Sequence, residues 1–194
     1  MRSSLLFVAP FFALLLGLGA CGSKDSPPPV ENPITQYLDA DTTLKRAAYG
    51  PNAIEFGLVF SATVDGKLTE VGCEMPDPGS YRVSVWDNQT KALLRQKTIE
   101  QSSPGKLTMS SIDALALTAN KKYIISINSQ SGGVNRKYHS VIKKAGGEFI
   151  PFTKGSILVY NTSYRTTAMA VFPDEINNLK QVVYGYPEFT FVKD

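Results

Sequence analysis

The sequence predicts an all-β protein, an antiparallel β-sandwich or jelly roll. About ten short apolar runs follow one another from Ile54 onward, and turn signals rich in Gly, Pro, Asp and Asn separate them roughly every ten residues. The clearest run, Tyr81–Trp86, alternates between two faces as a strand does. No long amphipathic helix pattern interrupts the series, so two packed antiparallel sheets are the expected architecture.

The amino terminus reads as a secretory signal peptide over residues 1–20. Met1-Arg2 supplies a short basic start, and an apolar run from Leu5 to Leu18 leads to small residues at the cut site. A membrane span needs about 20 apolar residues. This run is shorter, and Pro10 interrupts it.

Leu18-Gly19-Ala20-Cys21 resembles a bacterial lipobox. The resemblance implies that Cys21 is acylated and that the chain is cut before it. Two or three acyl chains make a stable anchor, so membrane contact is expected through this lipid alone. Gly22, and not Asp, follows the cysteine; by resemblance to the enterobacterial sorting rule, this implies the outer membrane, with the domain periplasmic or exposed at the surface.

A tether is predicted over residues 21–48, and a β-sandwich domain over residues 49–194. The segment from Gly22 to about Tyr37 is polar and includes Pro27–Pro29, which favours an extended spacer. Thr35 to Ala48 is open between a short helix and an edge strand.

The charge balance excludes no envelope partner but gives no case for nucleic acid. The chain has 194 residues and a formal net charge of +3. Without residues 1–20, which contain only Arg2 among the charged residues, 19 basic and 17 acidic residues remain, a net charge of +2. A domain so close to neutrality is not the strongly basic type that binds nucleic acid.

The strands are predicted in order along the chain. Tyr81–Trp86 and Ala92–Ile99 form the best hairpin, joined by Asp87–Thr90. Ser111–Leu117 is the one helix-like window, expected to be a loop with one helical turn. The other predicted strands are Ile54–Phe60, Lys67–Met75, Lys106–Ile112, Tyr123–Ile127, Lys137–Ile142, Ser156–Tyr160, Thr166–Phe172, Gln181–Tyr184 and Glu188–Val192.

Cys73 is predicted to be a small buried side chain in a strand. The chain has two cysteines, and lipid on Cys21 would leave Cys73 without a disulfide partner. A reactive thiol needs a neighbouring cation or a helix terminus, and Glu74 has the wrong charge.

The order of several short motifs resembles a bacterial extracellular β-sandwich family of unknown function, often found beside carbohydrate-acting modules. Each motif is short, and their succession over residues 54–192 carries the resemblance. The resemblance implies a β-sandwich fold and an extracellular setting. It does not point to any particular activity. The motifs are Glu55–Phe60, Gly66–Val71, Val85-Trp86-Asp87, Leu93-Leu94, Leu117–Ser126, Tyr160, Phe172-Pro173 and Tyr186–Phe191.

The sequence offers little material for catalysis. His139 is the single histidine, and we expect it in a solvated loop. There is no Gly-x-Ser-x-Gly elbow, no His or Cys pair at zinc spacing and no Gly-rich phosphate loop. We therefore predict no enzyme activity, cofactor or metal. A carboxylate pair for glycoside hydrolysis is the remaining catalytic alternative, with loop acids Asp87, Asp113, Asp174 and Glu175.

Aromatic and amide side chains suggest a saccharide site. A sugar ring can stack on an exposed aromatic face while amides and acids bind its hydroxyls. Large aromatics also fill sandwich cores, so Trp86 has a packing alternative. The later tyrosines are Tyr138, Tyr160, Tyr164, Tyr184 and Tyr186, and the predicted ligand residues are Trp86, Asp87, Asn88, Tyr160, Asn161 and Tyr164.

A basic run offers a further surface. Arg136, Lys137, Lys143 and Lys144, with Lys154 and Arg165, could meet an anionic polymer or headgroups. A solubilising hairpin is the simpler interpretation.

The sequence thus predicts a monomeric, lipid-anchored, non-catalytic binding or adhesion module of the cell envelope, with a glycan as ligand. The alternatives are a structural or assembly lipoprotein with an envelope protein partner, and a glycoside-directed hydrolase.

Overall fold

The computed structural model describes residues 29–194. Strands make up 58% of these residues and helix 5%, which confirms the all-β prediction. The first elements are β1 (Val30–Glu31), α1 (Pro33–Ala40), β2 (Leu44–Tyr49), β3 (Ile54–Ala62), β4 (Gly66–Cys73), β5 (Gly79–Asp87), β6 (Leu93–Gln101) and β7 (Thr108–Leu117). They are followed by β8 (Lys122–Ser131), β9 (Val134–Asn135), β10 (Tyr138–Lys143), β11 (Phe152–Lys154), β12 (Ile157–Thr166), β13 (Glu175–Asn177), β14 (Val182–Tyr184) and β15 (Pro187–Lys193). The predicted signal peptide, Cys21 and tether residues 22–28 lie outside the described residues.

The strands form three antiparallel sheets. The largest has eight strands, in the order β11-β12-β3-β8-β5-β6, with β13 beside β12 and β9 beside β8. A four-stranded sheet has the order β1-β15-β4-β7, and a three-stranded sheet has the order β14-β10-β2. The two smaller sheets contribute buried residues to the same apolar core as the large one. The predicted antiparallel sandwich is confirmed.

The predicted hairpin is confirmed in strands β5 and β6. Tyr81 lies opposite Ile99 in this antiparallel pair. Tyr81, Val83 and Val85 are completely buried in the core between the sheets, as their period of two predicts. On the other face of β5, Ser84 and Trp86 are buried as well, so this face is not simply exposed to solvent.

A covering segment, residues 167–174, lies over the outer face of the eight-stranded sheet. Phe172 meets Trp86 edge to face, with ring centroids 6.0 Å apart. A Cβ on Gly57 would come 2.9 Å from Pro173, so glycine lets the segment approach the sheet closely. The prediction of a strand over Thr166–Phe172 is therefore wrong. Strand β12 ends at Thr166, and the residues that follow contact the sheet through their side chains.

The packed domain begins earlier than the predicted boundary at residue 49. Helix α1 buries Ile34 and Leu38 completely or nearly so, and β1 pairs with β15. Both interpretations of Thr35–Ala48 hold in part, because α1 is followed directly by strand β2. The helix stays short, and it is stable because its apolar face packs on the sandwich.

Two other local predictions have definite outcomes. Ser111–Leu117 is not a helical turn but part of β7, because its backbone pairs with β4, with Leu115 opposite Leu68. Cys73 is buried in β4, as predicted, and it forms no disulfide within residues 29–194.

Candidate functional site

An aromatic cleft opens where the three-stranded sheet meets the β3–β12 part of the eight-stranded sheet. Its volume is about 330 Å³. We call it the tyrosine cleft, and its lining residues are Tyr49, Ile54, Phe56, Tyr138, Tyr164, Asn177, Leu179 and Tyr184.

Two tyrosines come from paired strands of the small sheet. Tyr49 ends β2 and lies opposite Tyr138, the first residue of β10. Gly50 follows with φ +102°, and a Cβ there would come 3.2 Å from the Tyr138 ring. Glycine at this position lets the chain leave the strand beside the aromatic ring.

Phe56 is the buried centre of the aromatic cluster. Its ring centroid lies 4.5 Å from that of Tyr138 and 5.9 Å from that of Tyr184. Tyr138 and Tyr184 meet edge to face, with centroids 6.3 Å apart and planes at 77°. Such contacts hold rings in fixed orientations, so the cleft has a preformed aromatic wall.

Further lining residues come from β12, from the end of β13 and from the β13–β14 connection. Tyr164 lies opposite Phe56 in the β3–β12 pair. Asn177 and Leu179 follow along the chain, and Asn177 contributes the single amide of the lining. Tyr49 is 49% exposed and Leu179 46% exposed, so both reach the mouth of the cleft.

Two of the tyrosine hydroxyls in the cleft, those of Tyr164 and Tyr184, have raised pKa values. Burial, together with the neighbouring Tyr138 and Tyr49, raises the pKa of Tyr184. A hydrogen bond with Glu175, and the charge of that carboxylate, raise the pKa of Tyr164. The cleft therefore offers ring faces and neutral hydroxyl groups that donate and accept hydrogen bonds.

Comparison with known protein families identifies the family of this chain. A family model described as a domain of unknown function, DUF4082, matches residues 40–184. The chain belongs to the DUF4082 family. The prediction of a domain of unknown function is thereby confirmed, while its setting beside carbohydrate-acting modules stays a prediction. No curated protein matches the chain.

In this DUF4082 domain Trp86 presents no open ring face. It is 5% exposed, the Phe172 ring packs perpendicular to it, and its indole N–H donates to Ser126 Oγ at 2.8 Å. This geometry matches the packing alternative for Trp86, because a sugar could not stack on it without displacing the covering segment.

Asp87 and Asn88 belong to the β5–β6 turn. The Asp87 carboxylate accepts hydrogen bonds from the backbone N–H groups of Gln89 and Thr90, each at 2.9 Å. It also pairs with Lys121 at 2.7 Å. The bonds from Lys121 and the turn lower the pKa of Asp87 to about 2. The Asp87 carboxylate therefore stabilises the turn through these hydrogen bonds, a common role of aspartate at such positions.

Tyr160, Asn161 and Tyr164 do not form one patch. The Tyr160 hydroxyl lies 3.0 Å from Ser61 Oγ, and the Lys122 ammonium lies over its ring. Asn161 adjoins a β-bulge. Of the six predicted ligand residues, only Tyr164 lines the tyrosine cleft.

The sequence argument missed Tyr49 and did not select Tyr138 or Tyr184 as ligand residues. All three lie at the ends of short strands, where an aromatic ring can face an open edge of the sandwich. The sequence signal that could have identified these three residues is the placement of tyrosine at strand ends. Their convergence depends on sheet pairing between residues about 90 positions apart in the chain, as in the partners Tyr138 and Tyr49.

His139 is not in a solvated loop as predicted. It lies within β10, half-buried, with Nδ1 3.0 Å from the Glu74 carbonyl. Burial lowers its pKa. It is held by backbone pairing with β2, so its position is set by the sheet.

Three of the loop acids considered for hydrolysis, Asp87, Asp174 and Glu175, are engaged in ion pairs. Asp174 and Glu175 both pair with Arg165, at 2.9 and 3.8 Å. Asp113 lies in β7 and its side chain is exposed. Among residues 29–194, no group of three or more His, Cys, Asp or Glu side chains could hold a metal ion. In the same range, no helix is long and apolar enough to cross a membrane.

Proposed function

We propose that this protein is a non-catalytic, carbohydrate-binding module of the bacterial envelope, with the tyrosine cleft as its ligand site. The observation that carries the proposal is the convergence of Tyr49, Tyr138, Tyr164 and Tyr184 on one open cleft. Ring faces pack against the C–H face of a sugar, and the hydroxyls bond to its oxygens.

The lining residues favour binding over catalysis. Within the part of the chain that the structure describes, no Asp, Glu, His, Cys or Lys side chain lines the tyrosine cleft. A glycoside hydrolase needs two carboxyl groups facing the scissile bond. Glu175, which is not among the lining residues, is hydrogen-bonded to Tyr164 and lies 3.8 Å from Arg165.

The anchoring part of the proposal rests on the sequence. The lipobox-like Leu18–Cys21 and the proline-rich segment after it would place a monomeric domain at the outer membrane, facing the periplasm or the outside. Helix α1 and β1 pack on the sandwich, so the spacer between lipid and domain would be short, ending near Pro29.

The test is a glycan-array screen with the chain that begins at Gly22, which carries every described residue. We expect a specific glycan to bind, and Tyr49→Ala and Tyr184→Ala to weaken it about tenfold, the effect of roughly 1.4 kcal/mol. Tyr160→Ala is the matched control, because it removes a tyrosine ring outside the cleft.

The two sets of variants separate the possible sites. If Tyr160→Ala lost glycan binding while both cleft variants bound normally, the glycan site would lie on the β12 surface around Tyr160. A folded protein that binds no glycan would refute the carbohydrate ligand.

A protein partner is the second candidate. The side chains of Tyr49, Ile176 and Leu179 are each more than two-fifths exposed, and exposed apolar groups are typical of protein contacts. One stoichiometric partner recovered by cross-linking in the envelope, and lost in Leu179→Asp, would support this candidate over a glycan.

A further inference from the structure

A second cleft lies on the outer face of the eight-stranded sheet. Its volume is about 480 Å³. We call it the polar cleft, and its lining residues are Ser80, Arg82, Thr98, Asn128, Gln130, Gly132, Gly133 and Ala168.

The floor of the polar cleft rests on a buried carboxylate. Glu55 is completely buried, and Ser126 Oγ donates to it at 2.6 Å. Asn128 Nδ2 donates at 3.0 Å, and an Arg82 terminal nitrogen pairs with it at 3.1 Å. A charge taken out of water is tolerated only when it is paired and hydrogen-bonded in this way.

This network fixes the two side chains that face the cleft. Arg82 also donates to the Ala168 carbonyl at 3.4 Å, and Asn128 donates to the Thr167 carbonyl at 3.0 Å. The structure gives the buried Nε of Arg82 no acceptor among the described residues. Arg82 is therefore held in place with N–H groups left over for another partner.

Stability alone is a weak reason for such a network. Replacing a buried ion pair by apolar residues of similar volume is often neutral or stabilising. The neighbouring part of the same face, around Trp86, Val59 and Ile124, is indeed apolar. The polar floor is thus better explained by a ligand that needs oriented donors and acceptors.

The chemistry of the polar cleft selects the class of ligand. Glu55 offsets the charge of Arg82, and Ser80 at the rim donates to the Glu100 carboxylate. The negative charges of these two acids, beside the cleft, oppose the binding of an anionic ligand. Among residues 29–194, none of those lining the polar cleft is aromatic, so they offer a sugar ring no aromatic face for stacking. We propose that the polar cleft is a second binding site, which holds a neutral polyhydroxylated ring through its hydroxyl groups.

The polar cleft is separate from the tyrosine cleft. Ile54 and Phe56 line the tyrosine cleft, and Glu55, between them in β3, faces the opposite side of the sheet. The inference extends the proposed carbohydrate function to this second face, and it does not require the tyrosine cleft to bind.

The test is an NMR titration of the ¹⁵N-labelled chain that begins at Gly22. The probes are cellohexaose, maltohexaose and xylohexaose, with trigalacturonate as the acidic comparison. We expect a neutral probe to shift the Arg82 Nε–H, the Gln130 side-chain amide and the Gly132 amide along one saturable curve. Thr98→Val removes one hydroxyl and should weaken this binding about fivefold, as loss of one hydrogen bond does.

The control is Thr153→Val, an exposed threonine of β11 in the same sheet, which should bind as the parent chain does. In a Tyr49→Ala background the polar-cleft shifts should persist, even if the tyrosine cleft no longer binds. Shifts that vanish in that background would overturn the second site. Tighter binding of trigalacturonate would overturn its ligand class, and the absence of polar-cleft shifts with every neutral probe would overturn the proposal.

Discussion

Glu188 caps helix α1 from the last strand of the domain. Its carboxylate accepts hydrogen bonds from the backbone N–H of Thr35 at 2.6 Å and from Thr35 Oγ1 at 2.7 Å. The first N–H groups of a helix have no partner within it. This contact therefore joins the start of the packed chain to its end, 153 residues later.

The cap predicts a pH-dependent stability. Burial raises the pKa of Glu188 to about 7, against the opposing effect of the hydrogen bonds from Thr35, Phe189 and Ile34. An unfolded glutamate titrates near 4.3. Between about pH 4.3 and pH 7 the folded state therefore holds a proton that the unfolded state has released, and the free energy of unfolding falls as pH rises.

Urea denaturation across this pH range measures the effect. Glu188→Gln should have a smaller fall in unfolding free energy with rising pH than the parent chain. The exposed Glu148→Gln is the matched control and should follow the parent curve. If the curves of unfolding free energy against pH were parallel for Glu188→Gln and the parent chain, Glu188 would not be the cause of the pH dependence.

Trp86 is predicted to stabilise the fold without binding ligand. Trp86→Phe keeps an aromatic ring but removes the bond to Ser126 Oγ. The free energy of unfolding should fall by about 1–3 kcal/mol, because a buried hydroxyl then loses a partner. Binding to any glycan recognised by the tyrosine cleft should be unchanged. Weaker glycan binding by a fully folded Trp86→Phe protein would contradict this assignment.

Cys73 should be inert in the native state. It is completely buried, and burial raises the pKa of its thiol to about 12, while the thiolate is the reactive form. In the chain that begins at Gly22 it is the only cysteine. A thiol-reactive dye should label it only at denaturing urea concentrations. Rapid labelling of the native protein would mean that β4 opens readily.

Cys21→Ala tests the anchor. If Cys21 carries lipid, the variant should lose incorporation of labelled palmitate and appear in the soluble fraction of the envelope. Cys73→Ala is the matched control and should remain in the membrane with its lipid. Membrane retention of unlabelled Cys21→Ala would mean that another feature holds the protein there.

Local patterns predicted the elements well where short-range physics decides them. The β5–β6 hairpin has alternating side chains and a turn between its strands, and the structure pairs Tyr81 with Ile99 as expected. The covering segment was misjudged as a strand, because its apolar residues pack against Trp86 rather than joining a sheet. Ser111–Leu117 was predicted as a loop with one helical turn but is part of a strand, because pairing with β4 outweighs helix propensity.

The sequence by itself determined the all-β class, the main hairpin and the burial of Cys73, because period, turn chemistry and side-chain size act over a few residues. Only the tertiary structure decided where function could lie. It covered Trp86 with a distant segment and brought Tyr49, Tyr138 and Tyr184 to one cleft. Such convergence depends on which strands pair and in what register, and those choices are made by the packing of the whole domain.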